Sequence, residues 1–277
     1  MSYVVCIPSY KRAQLCNDKT LTMLKKNGIP STNIYVYVAN REEYDEYLPV
    51  VDTNLYNKLV VGKKGLVPQR QFIASQWPAN KHIVFFDDDV ESVDLKLSPL
   101  FKSRTLDYFF KYAFDECGKQ QSYIWGVYAV FNPFFRGARK EISTELNYIV
   151  GAFYGIINRP SLKAIELEIT KENGQKEDVE RTLKYYVNDG IVLRFNRVGF
   201  TTKYYGKEGG LGTFENRLKP MLDASNRLLK KYPEYGRIKM RKNGMAEFVL
   251  HKRPSIVTAK IKTKPNKTRK NKNKNKY

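Results

Sequence analysis

The stretch His82-Ile83-Val84-Phe85-Phe86-Asp87-Asp88-Asp89 decides the reading of the fold. Its near-continuous apolar run, without alternation, marks a central strand covered on both faces, as in a parallel sheet. Three carboxylates follow where the strand leaves the sheet. In parallel α/β sheets ligands bind at the carboxyl ends of the strands. Three adjacent carboxylates repel one another, and a divalent cation relieves that repulsion; hard cations such as Mg²⁺ and Mn²⁺ prefer oxygen ligands. A solvated acidic turn is the plainer alternative.

Working upstream, strands and helices alternate. Tyr3 to Ile7 reads as a short buried strand stopped by Pro8. A helix is expected from about Asn17, closed by Gly28, and a second strand from Asn33 to Ala39. A short charged helix through Glu42, Glu43 and Glu46 leads to a strand over Lys58 to Val61. Pro68 is expected to open the helix carrying Phe72, Ile73 and Trp77. This β-α-β-α-β-α-β order predicts a mostly parallel sheet with right-handed crossovers. Downstream the pattern is mixed: apolar runs at Tyr123 to Val130 and Ile149 to Ile157, a helix near Val179 to Tyr186, a strand Ile191 to Asn196, and a helix from Glu215 to Lys231.

Composition sets the class. A chain of 277 residues with 42% hydrophobic content buries a substantial core. No stretch approaches the roughly 20 apolar residues of a membrane span, and the first residues lack the layout of a signal peptide. Cys6, Cys16 and Cys117 are odd in number and lack metal-ligand spacing. A soluble, intracellular protein with reduced thiols is expected. The net charge of +21 is the unusual quantity. Nine of the 49 basic residues lie from Lys260 onward, leaving forty against 28 acidic ones, a net +12. A basic body points to a polyanionic partner such as nucleic acid or an anionic surface; codon bias toward Lys and Asn is the bland alternative. The expected organisation is one domain over 1–255, in two halves of about 1–100 and 101–255, and a disordered basic tail over 256–277.

Three segments together resemble GT-A glycosyltransferases: Ile7-Pro8-Ser9-Tyr10-Lys11-Arg12, Gly65-Leu66-Val67-Pro68-Gln69-Arg70-Gln71, and Asp87-Asp88-Asp89. The resemblance covers about residues 3 to 90. It implies a Rossmann-like α/β domain whose first half is the donor half and whose second is a mixed acceptor-side half, a nucleotide-sugar donor, and Mn²⁺ or Mg²⁺. Residue by residue, it implies Pro8, Tyr10 and Arg12 near the base, Arg70 near the nucleotide, Asp88 on the ribose, and Asp87 and Asp89 on the metal. The family's helix-opening pattern ends in Arg-Asn, where this chain has Arg70-Gln71.

An inverting enzyme of that class needs a carboxylate to take the acceptor hydroxyl's proton. Glu177-Asp178-Val179-Glu180 resembles the family's acidic acceptor-side motif, with Asp178 the candidate base and Glu177 or Glu180 as alternates. Acids at a helix N-terminus are also favoured by the helix dipole alone. Gly151 to Gly155 is a candidate loop between donor sugar and acceptor. Lys207 to Gly212 is a candidate lid with Lys207 as a phosphate contact, and His251 a candidate third metal ligand.

The whole pattern, including Asp189-Gly190-Ile191-Val192-Leu193-Arg194-Phe195-Asn196, is similar to the TET-dioxygenase-associated glycosyltransferases of phages and large DNA viruses. That implies transfer from a UDP-sugar, UDP-glucose foremost, to a hydroxyl on a modified DNA base such as 5-hydroxymethylpyrimidine. For a viral protein it also implies work in the host cytoplasm or nucleus. The alternatives are a viral glycosyltransferase acting on protein or glycan hydroxyls, a metal-dependent nuclease, and a non-enzymatic DNA-binding protein.

Overall fold

The computed structural model describes residues 2–202 and 213–251. Its first half alternates as the apolar pattern predicts. β1 (Tyr3–Pro8) leads to α1 (Ala13–Cys16), which continues through a π-helical stretch (Asn17–Leu21) into α2 (Thr22–Lys26). β2 (Ile34–Val38), α3 (Arg41–Tyr47), β3 (Lys58–Val61), α4 (Leu66–Ser75) and β4 (His82–Phe86) follow. The second half holds β5 (Val90–Asp94), α5 (Leu106–Gln120), β6 (Ile124–Val127), α6 (Pro133–Gly137), β7 (Ile142–Ser143) and β8 (Phe153–Ile157). After these come α7 (Glu177–Asp189), β9 (Leu193–Phe195), β10 (Gly199–Thr202), α8 (Phe214–Lys231) and the hairpin β11 (Gly236–Met240) with β12 (Ala246–Leu250).

Eight strands form one sheet in the order β3-β2-β1-β4-β8-β6-β9-β7. β1, β2, β3 and β4 pair in parallel. β8 then runs antiparallel to both β4 and β6, while β9 is again parallel to β6. The architecture is α/β with a parallel first half and a mixed second half, as the resemblance implies. Phe86 pairs with Phe153, Gly126 with Tyr154 and Val127 with Phe195. The carboxyl ends of β1, β4, β6 and β9 therefore lie at one edge with the start of β8.

Alternation within β1 and β4 builds two cores. Val5, Ile7, Val84 and Phe86 face Phe109, Phe110 and Phe114 of α5. Val4, Cys6, Ile83 and Phe85 face Ile73 of α4 and Tyr185 of α7. Each such buried aromatic or aliphatic side chain contributes roughly 1.5–3 kcal/mol. Cys6, Cys16 and Cys117 are free, buried thiols. A third cluster joins Val179 and Leu183 of α7 to Leu228, Tyr232 and Phe248. It fixes α7, and with it the first turn that carries Glu177 and Asp178.

Several elements differ from the sequence reading. α5 was not predicted, although Leu106, Phe109, Phe110, Ala113, Phe114 and Cys117 form one buried stripe at helical spacing. The first helix starts at Ala13, four residues ahead of Asn17. α4 starts two residues ahead of Pro68, after Gly65 at φ +96°. Pro68 sits in its first turn, where the missing N–H costs little. No described helix is long and apolar enough to cross a membrane.

Candidate active site

The segment after β1 turns sharply at Lys11, whose φ of +55° is unusual for a residue with a side chain. Two side chains of α3 hold this turn: Lys11 N–H donates to Glu43 Oε2 at 2.8 Å, and Arg12 N–H donates to Tyr47 Oη at 2.9 Å. The turn brings Arg12 Nη1 to Asp88 Oδ1 at 3.2 Å and to Asp89 Oδ2 at 3.3 Å. Ser9 Oγ donates to Asp88 Oδ2 at 2.6 Å, and Thr202 Oγ1 donates to Asp89 Oδ1 at 2.5 Å. Asp88 and Asp89 are buried. Pro8 is buried beside this turn and Tyr10 is partly exposed.

Asp87 points another way. Its carboxylate accepts from Arg70 Nη2 at 2.7 Å, and its backbone N–H donates to the Ala152 carbonyl at 3.0 Å. Arg70 Nη2 also donates to the Gly151 carbonyl at 2.9 Å, while its Nη1 meets Glu177 Oε1. Arg181 Nη1 donates to the other Glu177 oxygen at 2.5 Å and stacks its guanidinium on Tyr154, 3.8 Å from the ring centre. Gly151 has no substitute here. A Cβ at that position would lie 2.6 Å from Glu177 Oε1 and 3.1 Å from Arg70 Nη1.

The three acids of α7's first turn have different surroundings. Glu177 is buried between two guanidiniums. Glu180 is fully buried and accepts the backbone N–H groups of Glu168, Ile169 and Thr170 together with the Thr170 hydroxyl. Four donors saturate its carboxylate, so Glu180 pins a loop. Asp178 remains partly exposed; one oxygen accepts the Val179 N–H at 2.9 Å and the other meets the Tyr148 hydroxyl.

Charge is crowded in this cluster. Burial pushes the Asp88 carboxyl up to about 7; Arg12 and Ser9 oppose the rise, and Asp89 and Asp87 add to it. Asp87 also rises, first through burial, with Arg70 and Arg181 pulling it back and Asp89 and Asp178 pushing it further. Five carboxylates (Asp87, Asp88, Asp89, Glu177, Asp178) face three guanidiniums and, beside Asp178, the Lys176 ammonium. The donors are hard oxygens, and with Asp87 turned to Arg70 while Asp88 and Asp89 face Arg12 they fit a divalent cation that draws on one or two of them. Among the described residues no three His, Cys, Asp or Glu side chains form a complete metal-ligand set. A Mg²⁺ site built with a nucleotide needs only one or two protein carboxylates, since phosphates supply the rest.

Of the residues singled out in the sequence, the fold brings Arg12, Asp88 and Asp89 into one ion-pair group and Arg70, Asp87 and Glu177 into a second, with Asp178 beside Glu177 in the first turn of α7. His251 lies on the C-terminal hairpin, its ring nitrogen 3.1 Å from the Glu234 carbonyl oxygen. Lys207 and the stretch to Gly212 lie outside the described residues, as does the tail from 256. Sequence reasoning did not single out Arg181, Tyr148, Thr202, Tyr47 or Glu43, none of which stands in a recognisable motif.

No protein-family model matches the sequence, and no curated protein does. Solved structures similar to the chain include S. aureus TarS 1–349 in complex with UDP-GlcNAc, at 17% identity and TM-score 0.46, covering 83% of this chain and 67% of that one. A mannosyltransferase from Pyrobaculum calidifontis in complex with GDP-Man and Mn²⁺ matches at 15% identity and TM-score 0.47, over 82% and 64%. Glucosyl-3-phosphoglycerate synthase from Mycobacterium tuberculosis, in complex with Mn²⁺, UDP and glucosyl-3-phosphoglycerate, matches at 9% identity and TM-score 0.48, over 91% and 88%. The chain spans less than two thirds of the mannosyltransferase and 40% of the longer TarS chain. At these identities and scores, function is argued from this chain's own side chains.

Proposed function

We propose that the chain is a metal-dependent glycosyltransferase that moves a sugar from a UDP-sugar, with UDP-glucose the first choice, to an acceptor hydroxyl. One observation carries the reading. Two ion-pair groups, Arg12 with Asp88 and Asp89, and Asp87 with Arg70, Glu177 and Arg181, are drawn from segments far apart in sequence and meet at the consecutive aspartates that follow β4.

In this assignment Pro8, Tyr10 and Arg12 border the nucleotide base, Asp88 takes the ribose, and Asp87 and Asp89 hold Mn²⁺ or Mg²⁺. The cation, when bound, offsets the charge of the diphosphate leaving group. Glu177 is a positioning residue. With one guanidinium on each oxygen it aims Arg70 at the cluster and takes no proton itself. Asp178 is the base: its carboxylate accepts the acceptor hydroxyl's proton as that oxygen bonds to the anomeric carbon and the bond to diphosphate breaks. Tyr148 orients it. A single displacement of this kind inverts the anomeric carbon. Lys207, outside the described residues, is assigned to the phosphates.

For the acceptor we favour a hydroxyl on a modified DNA base, 5-hydroxymethylpyrimidine in class. What supports this is the charge of +21, held partly in the tail, which favours a phosphate backbone. Phe131, Phe134 and Phe135 also stand exposed in and before α6, between β6 and β7. Exposed aromatic rings stack bases. Protein or glycan hydroxyls are the second reading. Radiolabelled UDP-glucose with Mn²⁺ is incubated with hydroxymethylated DNA, plain DNA and protein extract in parallel. Label in hydroxymethylated DNA alone is the expected result; label in protein selects the second reading. No transfer from any UDP-sugar overturns the enzyme.

A further inference from the structure

Between Glu116 and Glu141 the sequence holds no acidic residue, and within that stretch Val130-Phe131-Asn132-Pro133-Phe134-Phe135 is exposed throughout. Phe134 is 79% exposed and Phe135 51%, their rings edge to face with centres 5.5 Å apart. Folding gains from burying such side chains, and contiguous apolar surface left in water marks a contact site. The backbone beneath the rings is fixed. Arg136, fully buried, donates Nε to the Phe131 carbonyl at 2.9 Å, Nη1 to the Arg197 carbonyl at 3.0 Å and Nη2 to Asp94 Oδ2 at 2.5 Å. Gly199 makes room for it, since a Cβ there would lie 2.6 Å from Arg136 Nη1. Asn132 Oδ1 caps α6 by accepting the Phe134 N–H at 3.0 Å. Rings presented on a fixed backbone lose little freedom when a partner docks.

Cations border the rings. Arg136, Lys140 and Arg197 pair with Asp94, Glu145 and Glu141. Among the described residues no carboxylate forms an ion pair with Arg139 or Arg194. Both of these guanidiniums lie by the ring of Tyr128, 4.4 and 5.1 Å from its centre. Arg139 is exposed; Arg194 is buried, where desolvation and then the charge of Arg139 work against its own. Two positive charges that share one ring and lack an acid favour an anion from outside. Arg194 also leads to the candidate base: its Nη1 donates to the Tyr148 carbonyl at 3.2 Å, and the Tyr148 hydroxyl meets Asp178.

Aromatic faces beside unpaired cations match a strand whose bases are free to stack and whose phosphates carry charge. In a duplex the bases already stack on one another. A second copy of the chain, docked through the same patch, would bring like charges together, and a purely apolar surface would leave the cations unmatched. We infer that residues 128–139 form a docking platform for single-stranded nucleic acid, with Phe134 and Phe135 stacking unpaired bases and Arg139 meeting a backbone phosphate. The platform deepens the DNA-acceptor reading and rests on it for where the strand leads, toward Asp178. Its test reads binding alone, without donor or metal, so a failure of docking and a failure of transfer are told apart.

Fluorescence anisotropy on the full chain compares labelled single-stranded DNA of roughly 16 nucleotides with the duplex of the same sequence, across a salt series. The basic tail is present in every variant, so its contribution cancels in the comparison. Phe134→Ala combined with Phe135→Ala is expected to weaken single-strand binding at least about fivefold, the lower bound for one lost stack. Duplex binding changes by less than about twofold, since it rests on charge. Arg139→Gln is expected to flatten the slope of log Kd against log salt by about 0.7, the share of one phosphate on a single strand. Circular dichroism checks each fold, and Phe134→Ala alone serves if the pair fails to fold. Single-strand affinity unchanged in the folded aromatic variants, equal losses for strand and duplex, or an unaltered slope in Arg139→Gln overturns the platform. So does self-association of the wild type in analytical ultracentrifugation that the aromatic substitutions abolish, which makes the surface an interface between copies.

Discussion

Arg70 and Asp87 stand 17 residues apart in the chain and meet at 2.7 Å, the first on the helix that follows β3 and the second just past the end of β4. Through the same guanidinium Arg70 also reaches Glu177, 107 residues downstream. One side chain thus ties the donor half to the helix that carries the candidate base. Burial works against its charge, but Glu177, Tyr154 and Asp87 more than compensate, so Arg70 is held protonated.

If Asp178 is the base, Asp178→Asn keeps the shape and loses the proton acceptor. Transfer should fall by about 10²–10⁴-fold, the usual worth of a positioned base, while UDP-sugar affinity stays within twofold. Tyr148→Phe should lower transfer less and leave the donor's Kd unchanged. Unaltered turnover in Asp178→Asn removes it from the mechanism.

Gly151 is required by closeness of approach, since a Cβ there would sit 2.6 Å from Glu177 Oε1. Gly151→Ala therefore forces Arg70 and Glu177 apart. The expected outcome is destabilisation of about 1–3 kcal/mol, the range for overpacking, with loss of donor binding. Thermal unfolding and calorimetry on the same variant check both.

His82 begins β4 stacked on Phe114, with ring centres 4.3 Å apart, and its Nδ1 is buried without a hydrogen-bond partner among the described residues. Burial holds its pKa below the ordinary 6.5, with Lys81 and the N-terminus adding to the effect. The fold thus keeps His82 neutral where the unfolded chain takes up a proton. Its share of stability is complete above pH 6.5 and declines as pH falls below it. His82→Phe should make the melting temperature less sensitive to acid between pH 6.5 and 5. A slope identical to wild type contradicts this.

How much of this was legible in the sequence follows from where the signal lies. β4 and its aspartates could be read because an apolar run ending in three acids is local. The stripe of α5 was equally local, with Thr105 as its N-cap and Asp107 in its first turn, and was legible by the same rules. Around Glu177 the pattern shows four residues with three acids and no more. Glu180 braces the backbone of residues 168–170 and Glu177 holds two arginines, leaving Asp178 open. That sorting depends on partners brought in by the fold. Arg181 is likewise unremarkable on a helix until Tyr154 and Glu177 enclose it. Thr202 reaches Asp89 only because β10 pairs with β5.

The acidic cluster is claimed to bind an activated sugar through a divalent cation, and calorimetric titration of UDP-glucose with and without Mn²⁺, on wild type and on Asp89→Ala, tests that claim most directly. Binding that requires Mn²⁺ and disappears in Asp89→Ala is the predicted result. Wild-type protein that fails to bind UDP-sugars, or binds them equally without the metal and in the variant, contradicts it.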